Sequence, residues 1–447
     1  MKKVSAIILV TFIAVAMMLA GCSSKPESGN ASNAAETKST VEASPSASSD
    51  AGDKAEPSGE KKKVTLFSAT ADKPVQEAYK QIADAFTKEN PNIEIELNFP
   101  GSEYENMLKV KMAANDLPDI WDTHGWAKVR YGNYLADLKD EAWTSNLTDT
   151  IKNVVTDEQG KVYALVLSEA KDGLTYNADV LAKYGIEPPK TFDELMAAAE
   201  KIKTESKGDV TPFYFSGIDD WMVGQFFDYF ATSLLISPAQ NEAQNLLDGK
   251  MDWSKWTALP AKFKEMSDKG YINKDVLTAK YSDLAPLFAQ DKVAFTLLGP
   301  SFADEVHKIN PDVKIGFMPV PSMVAGDEPN FSGGERLTMG AWKDSKNLAE
   351  AKQVIAYFSQ PENMAKFAQA TKLPPGLNGV TVDHEFSPYY EKYASVRVFP
   401  YFDRVYLPNG MWDVLCKSGT ALIAGQMTAE QYSDKMKQEV ERLSASK

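Results

Sequence analysis

Cysteine and histidine are scarce in this chain, two of the first and three of the second among 447 residues. With only Cys22 and Cys416, no disulfide framework can be built. With only His124, His307 and His384, a histidine-based metal site or catalytic triad has little to draw on. The motifs that announce common enzymes are absent too. There is no Gly-x-Ser-x-Gly elbow, no His-Glu-x-x-His, no Cys-x-x-Cys and no phosphate loop, and nothing calls for a cofactor. Basic charge is thin: the formal net charge is −14, and no basic stripe exists beyond Lys61, Lys62 and Lys63. A nucleic-acid partner is therefore not expected. No apolar run reaches the roughly 20 residues that a spanning helix needs.

What the chain does have begins at its start. Lys2 and Lys3 precede a short apolar run over residues 6–19, closed by Leu19-Ala20-Gly21-Cys22. A basic start, a short apolar core and small residues at the end are the parts of a secretory signal. The ending resembles a bacterial lipoprotein signal, which implies a signal over residues 1–21 and a lipid on Cys22. Cys416 then has no partner, and its apolar helical neighbours Val414, Leu415 and Leu422 make it a small buried hydrophobe. Residues 23–60 hold no aromatic residue and one large aliphatic, Val41. Such a stretch cannot bury enough apolar area to offset its ordering entropy. It reads as a flexible linker over residues 22–62, with a root-mean-square reach of roughly 30–35 Å.

From Lys63 onward about 385 residues remain, too many for one ordinary core, so two lobes are expected. The apolar spacing predicts a helix over residues 74–89, opened by Pro74 and stopped by Asn90-Pro91. Ile93, Ile95, Leu97 and Phe99 alternate as a strand. Ser102 and Glu105 have the spacing of a capping box for a helix to about residue 115, and residues 118–121 enter another strand. Strand–helix alternation of this kind favours a mostly parallel sheet. Further strands are predicted at 162–165, 174–176, 293–298 and 314–318. Helices are predicted at 179–184, 191–203, 221–235, 253–269, 282–290, 348–359, 362–370, 411–424 and 428–443. Residues 319–342, rich in Gly and Pro and without periodicity, read as a long loop.

Several segments in order resemble the family 1 extracellular solute-binding proteins of ABC importers, the maltose-binding-protein-like group. They include Leu117-Pro118-Asp119-Ile120, Gly173-Leu174-Thr175-Tyr176-Asn177, Pro188-Pro189-Lys190-Thr191-Phe192, Gly299-Pro300, Ser332-Gly333-Gly334 and Gly425-Gln426-Met427-Thr428. The resemblance spans residues 63–443. It implies an α/β, two-lobe periplasmic-binding-protein-like fold of type II, with a hinge between the lobes and the ligand cleft at their interface. One lobe would hold residues 63–170 and 332–385, the other 173–330 and 395–447. It also implies a lipid-anchored monomer on the outer face of the cytoplasmic membrane, held there by the lipid alone. Its solute would be a carbohydrate, most simply an oligosaccharide, passed to permease subunits. A polyamine- or peptide-binding protein and a secreted lipoprotein glycosidase are the alternatives.

A sugar site wants carboxylates or amides around the ring and aromatic faces against it. In open α/β sheets, ligands bind beyond the carboxyl ends of strands. The richest cluster of that kind is Asp122, Thr123, His124 and Trp126, with Trp121 assigned to the core. Ser68 and Thr70 follow the first strand. Trp221 stands at a loop-to-helix junction after Asp219 and Asp220, either of which would serve as a plain helix cap. Ser301 and Phe302 follow Gly299-Pro300, and Trp412 falls where the family resemblance places a stacking residue. Glu169, Gly333, Gly334 and Glu335 flank the expected crossings, the glycines permitting positive φ and close backbone approach to a ligand. Asp403 and Arg404 read more simply as a salt bridge.

Overall fold

The computed structural model describes residues 61–445, His124 excepted. The signal segment, Cys22 and almost all of the linker lie outside the described residues. The first strand, β1 (Lys62–Phe67), starts on the last residue assigned to the linker. It pairs in parallel with β2 (Ile93–Asn98) and β3 (Ile120–Trp121), as strand–helix alternation requires. The helix Lys73–Glu89 between β1 and β2 has proline in its first turn and buries Val75, Ala78, Tyr79, Ile82 and Phe86, one face at helical spacing. Tyr79 anchors that face, with ring centroids 4.7 Å from Phe367 and 5.8 Å from Phe358. The side chain of Ser102, expected to open a capping box, lies outside the described residues. A 3-10 turn, Gly101–Glu103, leads into the helix Tyr104–Ala113, whose N-cap Glu103 makes no side-chain cap.

A second, four-stranded sheet runs in the order β6-β7-β5-β8, with β5 at Leu174–Asn177, β6 at Thr211–Phe213, β7 at Val293–Thr296 and β8 at Ile315–Met318. Asn177 ends β5 and caps the next helix, accepting a hydrogen bond from Val180 N at 2.9 Å. Thr191 and Glu194 form the expected capping box of the helix Phe192–Glu205. The helix Trp221–Leu235 is apolar nearly all round and buries most of its length, so it is the centre of the second core and not a surface element. Phe226 packs there 4.5 Å from Phe263 and 4.7 Å from Phe230, centroid to centroid. Cys416 is buried in this core, and burial pushes its thiol pKa up.

The two sheets are joined by a long antiparallel pair, β4 (Leu165–Asp172) and β9 (Asn330–Ala341). β9 corrects the expected loop, since residues 330–341 form a twelve-residue strand. Its far end pairs with β3, Ile120 opposite Ala341, and its near end runs parallel to β10 (Arg397–Pro400). Its glycines mark close packing. A Cβ on Gly333 would lie 1.9 Å from the Ala170 carbonyl oxygen, and one on Gly340 2.4 Å from the Leu135 side chain. β4 likewise passes through Gly173 into β5, and a Cβ there would lie 2.1 Å from Met318 O. The fold is therefore α/β with two lobes and crossing strands between them. The strand predicted at 162–165 starts at Leu165 and runs on to Asp172. Among the described residues, no helix is long and apolar enough to cross a membrane.

Candidate functional site

The pairing of β9 with β4 slips at Arg336, which is skipped between Leu337 opposite Ser168 and Glu335 opposite Glu169, and a bulge of this kind re-aims its side chain away from that of Glu335. Arg336 is the one exposed residue on an otherwise buried strand. It opens into a cavity of about 180 Å³ whose walls include Asp172, Trp221, Tyr229, Tyr281 and Ser301. Desolvation alone would pull the arginine pKa down. Tyr401, Asp172 and Tyr229 outweigh it and hold the guanidinium above its ordinary value, hence charged. Tyr401 donates its hydroxyl hydrogen to Asp172 Oδ2. Trp221 and Tyr281 supply aromatic faces, their ring centroids 5.3 Å apart. The pocket thus combines a carboxylate, a guanidinium, hydroxyls and indole, the groups that can satisfy a polyhydroxylated ring.

Arg404, which lines a different cavity with Gly125, Gly334 and Glu335, lies with its guanidinium carbon 4.3 Å from the Tyr401 ring centre and 5.1 Å from that of Trp126. Arg130 is 3.8 Å from the same Trp126 ring and hydrogen-bonds Glu105 at 2.6 Å. Arg404 is thus an aromatic-stacked cation, and among the described residues its buried Nη1 has no hydrogen-bond partner. That departs from the salt-bridge expectation, although Asp403 still feels its charge. Burial pushes Asp403 up to about 6, with Arg404 opposing. Asp228 accepts a hydrogen bond from Asp403 N at 2.7 Å, and burial, then the Asp403 charge, push it up to about 7.

The other face of β9 carries a buried polar knot. Thr123 Oγ1 donates to Glu335 Oε2 at 2.7 Å, and Ala127 N donates to Glu335 Oε1 at 3.2 Å. Thr123 N donates to Thr338 Oγ1 at 2.7 Å, and that hydroxyl donates to Asp122 Oδ1 at 2.8 Å. Burial pushes Glu335 up to about 7 despite these donors and Arg404. A second cavity of about 440 Å³ opens here, walled by Gly125, Asn153, Val154, Gly334, Glu335 and Val398 among others.

The remaining residues singled out from the sequence fall as follows. Ser68 is buried and accepts from Thr70 N at 3.3 Å, and Thr70 Oγ1 accepts from Asp72 N at 3.2 Å, so the pair shapes the turn into the helix Lys73–Glu89. Glu169 is 2 % exposed, accepts from Thr148 Oγ1 at 3.1 Å and lies 3.7 Å from Lys171 Nζ. Phe302 is buried edge-on against Phe288, centroids 5.3 Å apart, while Ser301 is exposed at the pocket lip. Trp412 is half-buried over Gly224, whose missing side chain leaves room for that ring and Cys416 Sγ. Gly334 has φ +132°, whereas the close approach at Gly333 is to β4 and not to open space. Trp121 is core, as expected. His124 lies outside the described residues. Asp172, Tyr229, Tyr281, Arg336 and Tyr401 were not singled out. The nearest signals were the aromatic run of residues 399–402 and the Asp172-Gly173 step before β5.

Comparison with known proteins agrees with this architecture. The family model for bacterial extracellular solute-binding proteins matches residues 71–365. The melibiose/raffinose/stachyose-binding protein MelE of Bacillus subtilis strain 168 is 47 % identical over 384 residues, covering 86 % of this chain and 90 % of the relative. A binding protein from Bacillus subtilis, solved in an open conformation, superposes with TM-score 0.83 at 46 % identity, over 87 % of this chain and 98 % of that one. A sugar transporter protein of Bacillus licheniformis, solved in complex with stachyose, gives TM-score 0.78 at 49 % identity, over 85 % and 100 %.

Proposed function

Since this chain belongs to the bacterial extracellular solute-binding proteins, we propose that it is the capture component of an ABC importer and takes up an oligosaccharide of the melibiose, raffinose and stachyose type. The observation that carries this reading is the pocket beside β9, where Asp172 and Arg336 face the aromatic pair Trp221 and Tyr281. Sugar hydroxyls donate to the carboxylate and accept from the guanidinium, and the C–H faces of the ring lie against the indole. Ligand contacts to both lobes favour the closed arrangement, and the hinge lies in β4 and β9. One lobe comprises residues 63–170 and 332–385 and the other 173–330 and 395–447. Phe386 and Tyr390 pack against Phe317, which supports extending the second lobe back to residue 386. Arg336 weighs against a polyamine ligand, since a cation already lines this pocket. The protein binds and does not cleave its sugar. It acts as a monomer, tethered outside the cell by lipid on Cys22, and delivers to permease subunits.

The test is a thermal-shift and product analysis of residues 63–447 against melibiose, raffinose, stachyose, spermidine and a peptide pool. A true ligand at 100 times its Kd adds roughly 2.7 kcal/mol of stability. A shift with spermidine or peptides and none with the sugars would overturn the carbohydrate reading. Cleaved sugar in the incubation would make the protein a glycosidase.

A further inference from the structure

Two helices meet beside the pocket, one from each lobe. The helix Pro361–Thr371 belongs to the first, where Phe367 packs against Tyr79. The helix Phe302–His307 belongs to the second, where Phe302 packs against Phe288. Both reach the pocket wall, with Thr371 and Leu373 on one side and Ser301 and Phe302 on the other. Four ionisable side chains that do not line the pocket link these helices. Lys372 Nζ lies 3.7 Å from Asp304 Oδ1 and 3.8 Å from Glu385 Oε1. Glu385 Oε2 lies 3.7 Å from His307 Nδ1. Asp304 and His307 share one turn of the helix Phe302–His307, so the four close a circuit. Lys372 stands at the left-handed end of its helix, φ +57°, a place that glycine usually takes. His307 Nε2 lies 3.0 Å from the Val313 carbonyl oxygen, which can only accept, so Nε2 carries the hydrogen. The neutral imidazole therefore turns a bare Nδ1 toward Glu385, and a second proton lands there, facing the carboxylate. His384 does not compete. Its Nδ1 accepts from Phe386 N at 3.2 Å, and burial, then Lys372, push its pKa down, with Asp383 opposing. Asp72, Glu305 and Lys308 are the other charged groups around Asp304.

Resting on the carbohydrate reading above, we propose that Lys372 is a positioning residue for sugar binding, which clasps the two lobes through Asp304 and Glu385 and holds the facing pocket walls together, and that protonation of His307 tightens the clasp. Movement that opens the pocket at this edge separates the ion pairs, so the clasp favours the closed arrangement and slows release. Partly exposed ion pairs of this kind are worth up to about five-fold each in an equilibrium. The clasp acts on every sugar alike, because none of its members lines the pocket.

Titration calorimetry and stopped-flow release with melibiose, raffinose and stachyose test this. Lys372→Met removes both ion pairs and should raise Kd about five- to ten-fold, by the same factor for each sugar and through faster release. Lys372→Arg should restore Kd to within about two-fold. Methionine and arginine need the same left-handed backbone as lysine, so its cost cancels between the variants. As pH falls from 8 to 5.5, where histidine gains its charge, the native protein should gain about three-fold in affinity over His307→Gln. Asp228, Asp403 and Glu335 titrate in both proteins, so the ratio isolates His307. Glu385→Gln should abolish that gain. Unchanged Kd in Lys372→Met, or equal pH responses in the native and His307→Gln proteins, would overturn the inference and leave the carbohydrate reading standing. Native protein that binds none of the three sugars would overturn the carbohydrate reading and this inference with it.

Discussion

Replacing Glu335 by glutamine should make the protein more stable at neutral pH and remove part of its pH dependence. The side chain is 2 % exposed, and burial pushes its pKa up to about 7 from an ordinary 4.5. Between those values the folded protein keeps a proton that the unfolded chain has released. With more protons bound in the folded state, stability falls as pH rises through that window, and the whole cost is present above about pH 7. At about 1.4 kcal/mol per pKa unit, the cost is on the order of 3 kcal/mol. Glutamine is the right replacement because Ala127 N can still donate to its carbonyl oxygen. Thr123 Oγ1, now accepting from the amide, can turn its own hydrogen to Thr338 Oγ1, which lies 2.7 Å away. The assay is urea unfolding of both proteins at half-unit steps from pH 4.5 to 8. Asp228 and Asp403, also raised, contribute the same slope to both proteins, so the difference isolates Glu335. The native curve should drop relative to the variant by about 3 kcal/mol between pH 4.5 and 7.5. Parallel curves would refute the reasoning, because they would mean that Glu335 is solvated or fully compensated.

Four further outcomes are expected. Gly333→Ala should lower the urea midpoint by an amount equivalent to about 1–3 kcal/mol, since its Cβ has only the Ala170 carbonyl to occupy. Thr191→Ala removes a two-way capping box and should cost about 1 kcal/mol in the same assay, with sugar binding unchanged. Trp221→Ala, which strips an aromatic wall from the pocket, should raise the Kd for raffinose about 30-fold, equivalent to about 2 kcal/mol, by calorimetry. Cys22→Ala should appear in the medium, still binding sugar, while cells carrying it import poorly. Full import by the released form would show that the tether is dispensable.

Much of the framework could be read from the chain because it is written locally. The helix Lys73–Glu89 needed only its spacing, Pro74 and Asn90, and the caps at Thr191 and Thr428 needed four residues each. β9 was missed for a physical reason. Glycine signals a turn when its freedom is used, yet Gly333 and Gly340 are there because neighbours leave no room for a Cβ. Only the partner strand, more than 160 residues away, reveals which applies. The pocket was hidden in the same way. Asp172, Arg336 and Tyr401 meet only once three distant segments cross, and each alone looks like a surface or core residue. Trp126 and Trp221, by contrast, stand at junctions next to strand ends and could be singled out one at a time.

The clearances around the crossing strands have a mechanical meaning. Where Gly333 meets Ala170 and Gly173 meets Met318, the backbones are too close for either strand to slide past its neighbour. One residue on, Gly334 has φ +132° and no heavy atom nearer than 3.7 Å to where a Cβ would be. Such a joint is a flexure, not a bearing. Its tight crossings oppose shear, and its most open point is Gly334. A bend at that point would leave the paired register of β4 and β9 intact, so the walls of the pocket would keep their alignment along the strands.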